Sequence, residues 1–294
     1  MGNAENKPLE YELVKIDPSG DIYFEHYFDQ GRLVSNHWHN DIELILLLNG
    51  KLDVSIGKQT LHYKQDDIIL INSQVVHSTI CTAPNESILV QIPYPFLKRY
   101  IPDMDDYIFS VDCFSEDSLV KTKLLQLKET LQQMLVVNEY HPDGEKLQFT
   151  SLLFKLLYQL YHNFRTQDFQ SSMQKKAKDL NKLEPVLDYI QEHYTEPLSL
   201  HEIADIAGFQ FEYFCRLFKK NMGLTCLEYM NEIRLSHFYN DLIATEQPIQ
   251  YLLDLHGFSN YKLFRKLFAA KFHTTPSRLR KNLQSENKTQ SHRK

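Results

Sequence analysis

Residues 257–272, GFSNYKLFRKLFAAKF, repeat the plan of residues 208–222, GFQFEYFCRLFKKNM. Each stretch opens on a Gly-Phe pair, and the two pairs lie 49 residues apart. Behind each pair comes an apolar stripe at i, i+3, i+4. It is Phe214, Leu217 and Phe218 in the first stretch and Phe264, Leu267 and Phe268 in the second. That spacing is one face of an α-helix. Ahead of each lies a short periodic segment, SLHEIADIAG at 199–208 and IQYLLDLHG at 249–257. Ser199 with Glu202 three residues on has the form of a capping box, and Gly208 closes the helix that follows. A short helix, a glycine turn and a second helix with a polar outer face is the helix-turn-helix plan. The chain carries it twice, at about 200–221 and 249–272.

The segment between the two units predicts one helix over Leu227–Ile243. Seventeen residues at ~1.5 Å each span about 25 Å, enough to hold two recognition helices near the ~34 Å repeat of successive major grooves. The faces opposite the phenylalanines carry Glu212, Cys215, Arg216 and Lys219 in the first unit. In the second they carry Asn260, Tyr261, Lys262, Arg265 and Lys266. Arginine can fork onto a guanine edge, glutamate can accept from a cytosine amino group, and lysine answers phosphate. Charge agrees. Residues 1–178 hold 17 Lys and Arg against 24 Asp and Glu, a net of −7, whereas residues 258–294 hold 10 against one, a net of +9. A basic end on an acidic chain points to a polyanion, here double-stranded DNA.

The front of the chain has another period. DIYFEHYF (21–28) alternates, IELILLL (42–48) is a buried run, KLDVSI (51–56) alternates, and DDIILI (66–71) and SILVQI (87–92) add two more strands. Asn49-Gly50 has the composition of a two-residue hairpin turn. Many short strands with polar breaks predict a sandwich or barrel. Helical spacing takes over from Ser118 to Val137 and from Glu145 to Phe164, with His141-Pro142-Asp143-Gly144 as the turn between. Leu124, Leu131, Leu156 and Leu160 form a longer apolar seam than one small barrel needs, and a homodimer is expected along it. Residues 166–179 are polar and predict an inter-domain linker. The fold class is therefore multi-domain α+β: a barrel with two following helices, then an all-α domain. The boundaries are 1–110 for the barrel, 111–165 for the helical pair, 166–179 for the linker, 180–285 for the helix-turn-helix domain and 286–294 for a polar basic tail.

Other classes are excluded. The longest apolar run near the front, Leu44–Leu48, is far too short to span a bilayer, and the polar start has no secretory core, so no membrane partner and a cytoplasmic site are expected. Cys81, Cys113, Cys215 and Cys226 are scattered without a C-x-x-C pair, which argues against a disulfide framework or a thiolate zinc site.

From about Glu184 to Leu283 the chain resembles the DNA-binding domain of AraC/XylS-type transcription regulators. The residues that carry the resemblance are PLSLHEIADIAG (197–208), YFCRLFKKNMG (213–223), EIRL (232–235) and GFSNYKLFRKLFAAKFHTTPSRLR (257–280). Phe238 and Leu253 stand where the family usually has alanine, Cys226 where many members have proline, and His273 where many have glycine. The front resembles the cupin-like sensor domain of the same regulators, through His37-x-His39-x-x-x-Glu43, Gly50 and His77. In metal-binding cupins those histidines and the glutamate are the ligands, and imidazoles with a carboxylate suit a divalent transition metal. Against a metal, Asp66 and Ser73 replace a turn glycine and a proline, and such regulators commonly keep the histidines to hold a small effector.

The resemblance implies a non-enzymatic regulator with no cofactor and no metal. Its effector would be a small molecule such as a carbohydrate, held by Tyr23, His37, Trp38, His39, Glu43 and His77, with Tyr23 and Trp38 as stacking surfaces. It implies activation, with RNA polymerase as the further partner. The alternative is a metal-dependent cupin enzyme, or a metal sensor, fused to a DNA-binding domain.

Overall fold

The computed structural model describes residues 22–29, 31–57, 59–81, 83–167, 179–180 and 182–281. The front is a two-sheet barrel. Strands β1 (Tyr23–Asp29), β2 (Leu33–His37), β3 (Ile42–Asn49), β4 (Lys51–Ile56), β5 (Gln59–Lys64), β6 (Ile68–Ile71), β7 (His77–Ile80) and β8 (Asn85–Ile92) form two antiparallel four-stranded sheets. Their orders are β1-β8-β3-β6 and β2-β7-β4-β5. Alternation decides which side chain faces where. Ile45, Leu47 and Ile69 of the first sheet meet Leu52, Val54 and Tyr63 of the second in the barrel interior. Ile42, Leu44 and Leu46 point the other way.

That outer face is covered by helices α2 (Ser118–Tyr140) and α3 (Glu145–Gln159), after a short α1 (Tyr94–Tyr100). Asp117 caps α2 through Leu119 and Val120, and His141 and Gly144, both left-handed, turn the chain into α3. A single π-turn (Leu160–Phe164) ends the pair, and β10 (Arg165–Gln167) closes on β9 (Tyr107–Phe109). Thr166 and Gln167 thus belong to a strand and not to the linker expected over 166–179. Residues 168–178 of that stretch lie outside the described residues, as do the 286–294 tail and the first 21 residues.

The C-terminal domain consists of α4 (Glu184–His193), α5 (Leu200–Ile206), α6 (Phe211–Met222), α7 (Cys226–Ala244), α8 (Ile249–Leu255) and α9 (Tyr261–Phe272). The two predicted units are α5–α6 and α8–α9, and α7 joins them. Phe214, Leu217 and Phe218 lie in one cluster with α4 and the start of α7, and Phe264 and Phe268 in a second with Leu235, Phe238 and Leu242. Phe238 and Leu253, which replace the family's alanines, both sit fully buried in that second cluster. The expected capping box at Ser199–Glu202 is not formed: Ser199 Oγ accepts from His201 N at 3.3 Å. A full capping box stands instead at Thr225–Glu228, at the start of α7.

Two further expectations are corrected. Asn49-Gly50 makes no hairpin, because β3 and β4 lie in different sheets. Gly50 carries the chain across the corner at φ +84°, where a Cβ would come within 2.7 Å of Asn85 Cβ and Pro84 O. The leucine seam is internal: Leu131, Leu156 and Leu160 are 0% exposed in the chain's own core, and Leu124 packs half-buried against it. The face they cover is that of β1, β8, β3 and β6, strands the sequence pattern predicts; spacing alone does not say that the leucines pack on it. Leu131→Lys is therefore expected to cost about 3–5 kcal/mol as an unpaired buried charge. Urea unfolding followed by circular dichroism would show this as lost folding. A stable, soluble, monomeric Leu131→Lys protein would restore the seam to an interface.

Candidate functional site

The barrel brings its three motif histidines and its glutamate together. His37 stands opposite His77 in the β2–β7 ladder, just past an irregularity between Val34 and His37 that re-aims the strand end. Their ring centroids are 4.1 Å apart, and His39 lies 5.1 Å from His77. One ring nitrogen from each of the three falls within 4.8 Å of the others. Glu43 enters from β3, on the inward row Tyr23–Gln91–Glu43 that crosses β1, β8 and β3. Its Oε2 accepts from Gln91 Nε2 at 2.9 Å and stands 3.2 Å from His39 Nε2, and its Oε1 is 4.0 Å from His77 Nε2.

The backbone decides the tautomers. Nδ1 of His37 is 2.9 Å from Ser35 O, Nδ1 of His39 is 2.9 Å from Asp41 O, and Nδ1 of His77 is 2.9 Å from Val75 O. A carbonyl only accepts, so each Nδ1 carries a proton, and Nε2 is left as the coordinating atom. Nε2 of His39 and of His77 are buried without a hydrogen-bond partner; the 3.2 Å approach of His39 to Glu43 lacks the alignment of one. Burial pushes His77 down to about 3, helped by the His37 ring, so it is neutral. Burial alone would raise Glu43, but the His39 and His77 imidazoles and the Gln91 amide outweigh it and hold the carboxyl at about 2. His39 is moved oppositely: burial lowers it, and the Glu43 carboxylate lifts it above the ordinary histidine value. The arrangement is three imidazole nitrogens and one carboxylate converging in a largely buried site. Such a donor set fits a divalent transition metal, which would displace the His39 proton.

The turn for which a glycine was expected is kept at Asp66. Asp66, in place of a turn glycine, keeps φ at +75° and pairs with Lys128, so the glycine-type turn persists. Asp tolerates that region better than most residues. The loop after β6 is tied to the site by Gln74 N donating to His39 O at 2.8 Å.

Trp38 departs from expectation. It is 4% exposed and lies in the core cluster of the first helix-turn-helix unit with Val76, not in the barrel, so it offers no stacking surface to a sugar. Tyr23 is on the inward row, and its hydroxyl donates to Glu25. Gln91 was not singled out from the sequence; its signal was a lone polar residue at an inward position of SILVQI.

On the helical domain, Glu212, Arg216 and Lys219 of α6 are exposed, as are Tyr261, Lys262, Arg265 and Lys266 of α9. The Arg265 guanidinium lies 5.9 Å over the Tyr261 ring. Cys215 departs from the exposed face: it packs half-buried against the first unit's core. Asn260 is exposed, but its side chain caps α9 by accepting from Leu263 N at 3.0 Å.

The barrel and the helical domain touch along α7. The outward N–H of Leu33, on edge strand β2, donates to Asn240 Oδ1 at 2.9 Å. Leu33 O accepts from Asn240 Nδ2 at 3.2 Å and from the Ser236 hydroxyl. Tyr239 OH donates to Cys81 O at 3.3 Å, and the Tyr239 ring stacks on Phe272 at the end of α9.

Both halves of the chain match known domain families. Residues 202–282 match the family model of a helix-turn-helix domain, and residues 24–92 match that of a cupin domain. An uncharacterized HTH-type transcriptional regulator of Staphylococcus aureus is 22% identical over 241 residues, 82% of this chain but 31% of that protein. The chain thus spans about a third of the length of these staphylococcal relatives. The probable transcriptional regulator LumQ of Photobacterium leiognathi is 25% identical over 82% of this chain and 90% of its own length. Among solved structures, ToxT from Vibrio cholerae aligns over 90% of this chain and 98% of its own at 15% identity and a TM-score of 0.44. Among the described residues no helix is long and apolar enough to cross a membrane. The chain thus carries a cupin domain followed by a helix-turn-helix domain, the layout implied by its resemblance to AraC/XylS-type regulators.

Proposed function

We propose that the chain is a sequence-specific transcription regulator that binds double-stranded DNA through α6 and α9 and takes its signal in the barrel. The observation that carries this reading is the paired exposure of Arg216 with Lys219 and of Lys262, Arg265 and Lys266, on two helices whose phenylalanines on the opposite faces, Phe214 and Phe218 in one and Phe264 and Phe268 in the other, are fully buried. A rigid helix with forked and point cations on one face suits a major groove. The names of the relatives as transcriptional regulators support it. Activation, with RNA polymerase as partner, follows from the family resemblance, as does a small-molecule effector. Pairing of two chains through the helical segment would fall to its exposed apolar residues, Leu147, Phe154 and Tyr158, since the leucines are internal.

A second reading concerns the signal itself. The convergent His37, His39, His77 and Glu43 favour a divalent transition metal in the barrel, either as the signal or as the anchor of a small ligand. The metal supplies a Lewis-acidic centre when bound; this chain's contribution is a set of preoriented nitrogens and a carboxylate held by Gln91. The signal would act by favouring one seating of Trp38 and α7 over another, because only differential affinity shifts such a balance.

Two outcomes are expected. Arg216→Ala and Arg265→Ala each relax sequence preference in one half of the operator, about one helical turn apart, by roughly 1–3 kcal/mol per lost base contact. Lys219→Ala weakens binding to all sequences and flattens the salt slope by about one. Footprinting and salt titration distinguish these, and arginine variants that bind operator and random DNA as wild type does would end the assignment. Separately, protein purified without a metal-binding tag is expected to retain close to one divalent ion per chain through dialysis. His39→Ala and His77→Ala should each lower the affinity by about tenfold or more. Elemental analysis showing no metal above background after incubation with zinc, manganese, iron or nickel would leave the barrel to a metal-free effector.

A further inference from the structure

The two helix-turn-helix glycines have different surroundings. Gly208 and Gly257 occupy the same place in their units and nearly the same backbone conformation, φ +66° and +70°. Around Gly208 nothing would meet an added Cβ within 4 Å. At Gly257 a Cβ would lie 2.9 Å from Thr195 C and Cα, and closer still to the Thr195 carbonyl oxygen. Thr195 belongs to the turn that leads from α4 into the first unit. The turn of the second unit is therefore seated directly on the entry to the first, at a distance that only glycine allows.

Side chains fasten this seat. Arg234 of α7 donates through Nε to Tyr194 O and through Nη2 to Glu196 O, both at 2.6 Å. These are charge-assisted bonds on either side of Thr195. His256, next to Gly257 and 4% exposed, lies 3.3 Å from Tyr194 OH through Nδ1 and 2.9 Å from Asp241 Oδ2 through Nε2. The junction thus joins three elements, the α4–α5 turn, α7 and the α8–α9 turn, at one point. A single joining helix fixes the distance between two units along its axis but leaves their rotation about it to such contacts.

We propose that this junction, Gly257 on Thr195 braced by Arg234, Tyr194, His256 and Asp241, sets the separation and relative rotation of α6 and α9, and so the base-pair spacing of the two half-sites the chain accepts. These are positioning residues: none of them is on the exposed faces of α6 or α9. The inference rests on the DNA-binding reading above and adds a specificity determinant to it.

The test uses the full chain and the operator defined by its own footprint. A series of duplexes carries one or two base pairs inserted or deleted between the two contacted grooves. One base pair turns the second half-site by about a tenth of a helical turn. Wild type is expected to lose at least about tenfold in affinity on a one-base-pair change, comparable to one mismatched base pair. Gly257→Asn is expected to shift the optimum spacing or to flatten the series to within about threefold, with unchanged affinity for a duplex holding a single half-site. Gly208→Asn is the control, because asparagine meets the same left-handed backbone there without a neighbour; it should keep the wild-type spacing profile. Arg234→Lys, which loses one of the two carbonyl bonds, should flatten the series in the same direction and serves where Gly257→Asn does not fold by circular dichroism. Wild-type spacing profiles in the folded variants would overturn the inference while leaving the DNA-binding reading intact. A wild-type chain that binds no duplex overturns that reading, and the inference with it.

Discussion

Everything in the C-terminal half is built on α7, a helix with almost no solvent side. Cys226, Tyr229, Met230 and Ile233 enter the core of the first unit, and Leu235, Phe238 and Leu242 that of the second. Ser236, Tyr239 and Asn240 turn to the barrel, and Arg234 to the α4–α5 turn. A helix apolar on one stripe needs one partner; a helix buried all round needs several at once. The cost of burying Ser236, Tyr239 and Asn240 is met by hydrogen bonds to the barrel. Asn240 presents both an acceptor and a donor to the outward N–H and C=O of Leu33, as a neighbouring strand would. This also covers the open edge of β2, a surface that would otherwise be a template for strand pairing with another chain.

The barrel's chemistry and its docking surface occupy the same few residues. His37 and His39 face the convergent cluster, while Trp38 between them turns away and is buried among the residues of the first helix-turn-helix unit. Leu33, at the other end of β2, holds α7. A ligand or ion that draws His37 and His39 together acts on the segment that seats Trp38. Close-packed interiors transmit such displacements because they have no slack to absorb them. Under the regulator reading this is a direct route from the signal to the recognition helices. It needs no change in the two helix-turn-helix units themselves.

Most of the C-terminal fold was legible because it repeats. Apolar spacing at three and four residues placed the two helix-turn-helix units and the helix joining them near their observed bounds, and the histidine motif located the barrel cluster. Three kinds of feature were not legible. Periodicity reports that a face is apolar but not what covers it, so Leu131, Leu156 and Leu160 could not be divided between a sheet and a second subunit. Local turn chemistry does not report sheet membership: Asn49-Gly50 has hairpin composition, but its glycine serves a close approach to Asn85. Tertiary hydrogen bonds leave little trace in a single chain. The Nδ1 contacts that orient the three imidazoles go to backbone carbonyls, and every residue has one. Trp38 was misassigned for a related reason, since an aromatic beside two histidines has the same composition whether it lines a pocket or docks a domain.

The central claim is that the barrel is docked on α7 through β2. The most direct measurement is amide hydrogen exchange at Leu33 in the full chain, followed residue by residue. Leu33 N–H faces out from an edge strand, and Asn240 is its partner. Docking predicts exchange as slow as that of the interior strand β3, accelerated toward the free-edge rate by Asn240→Ala. Exchange of Leu33 at the free-edge rate in the wild type, unaltered by Asn240→Ala, would contradict the account and separate the barrel from the helices it is said to control.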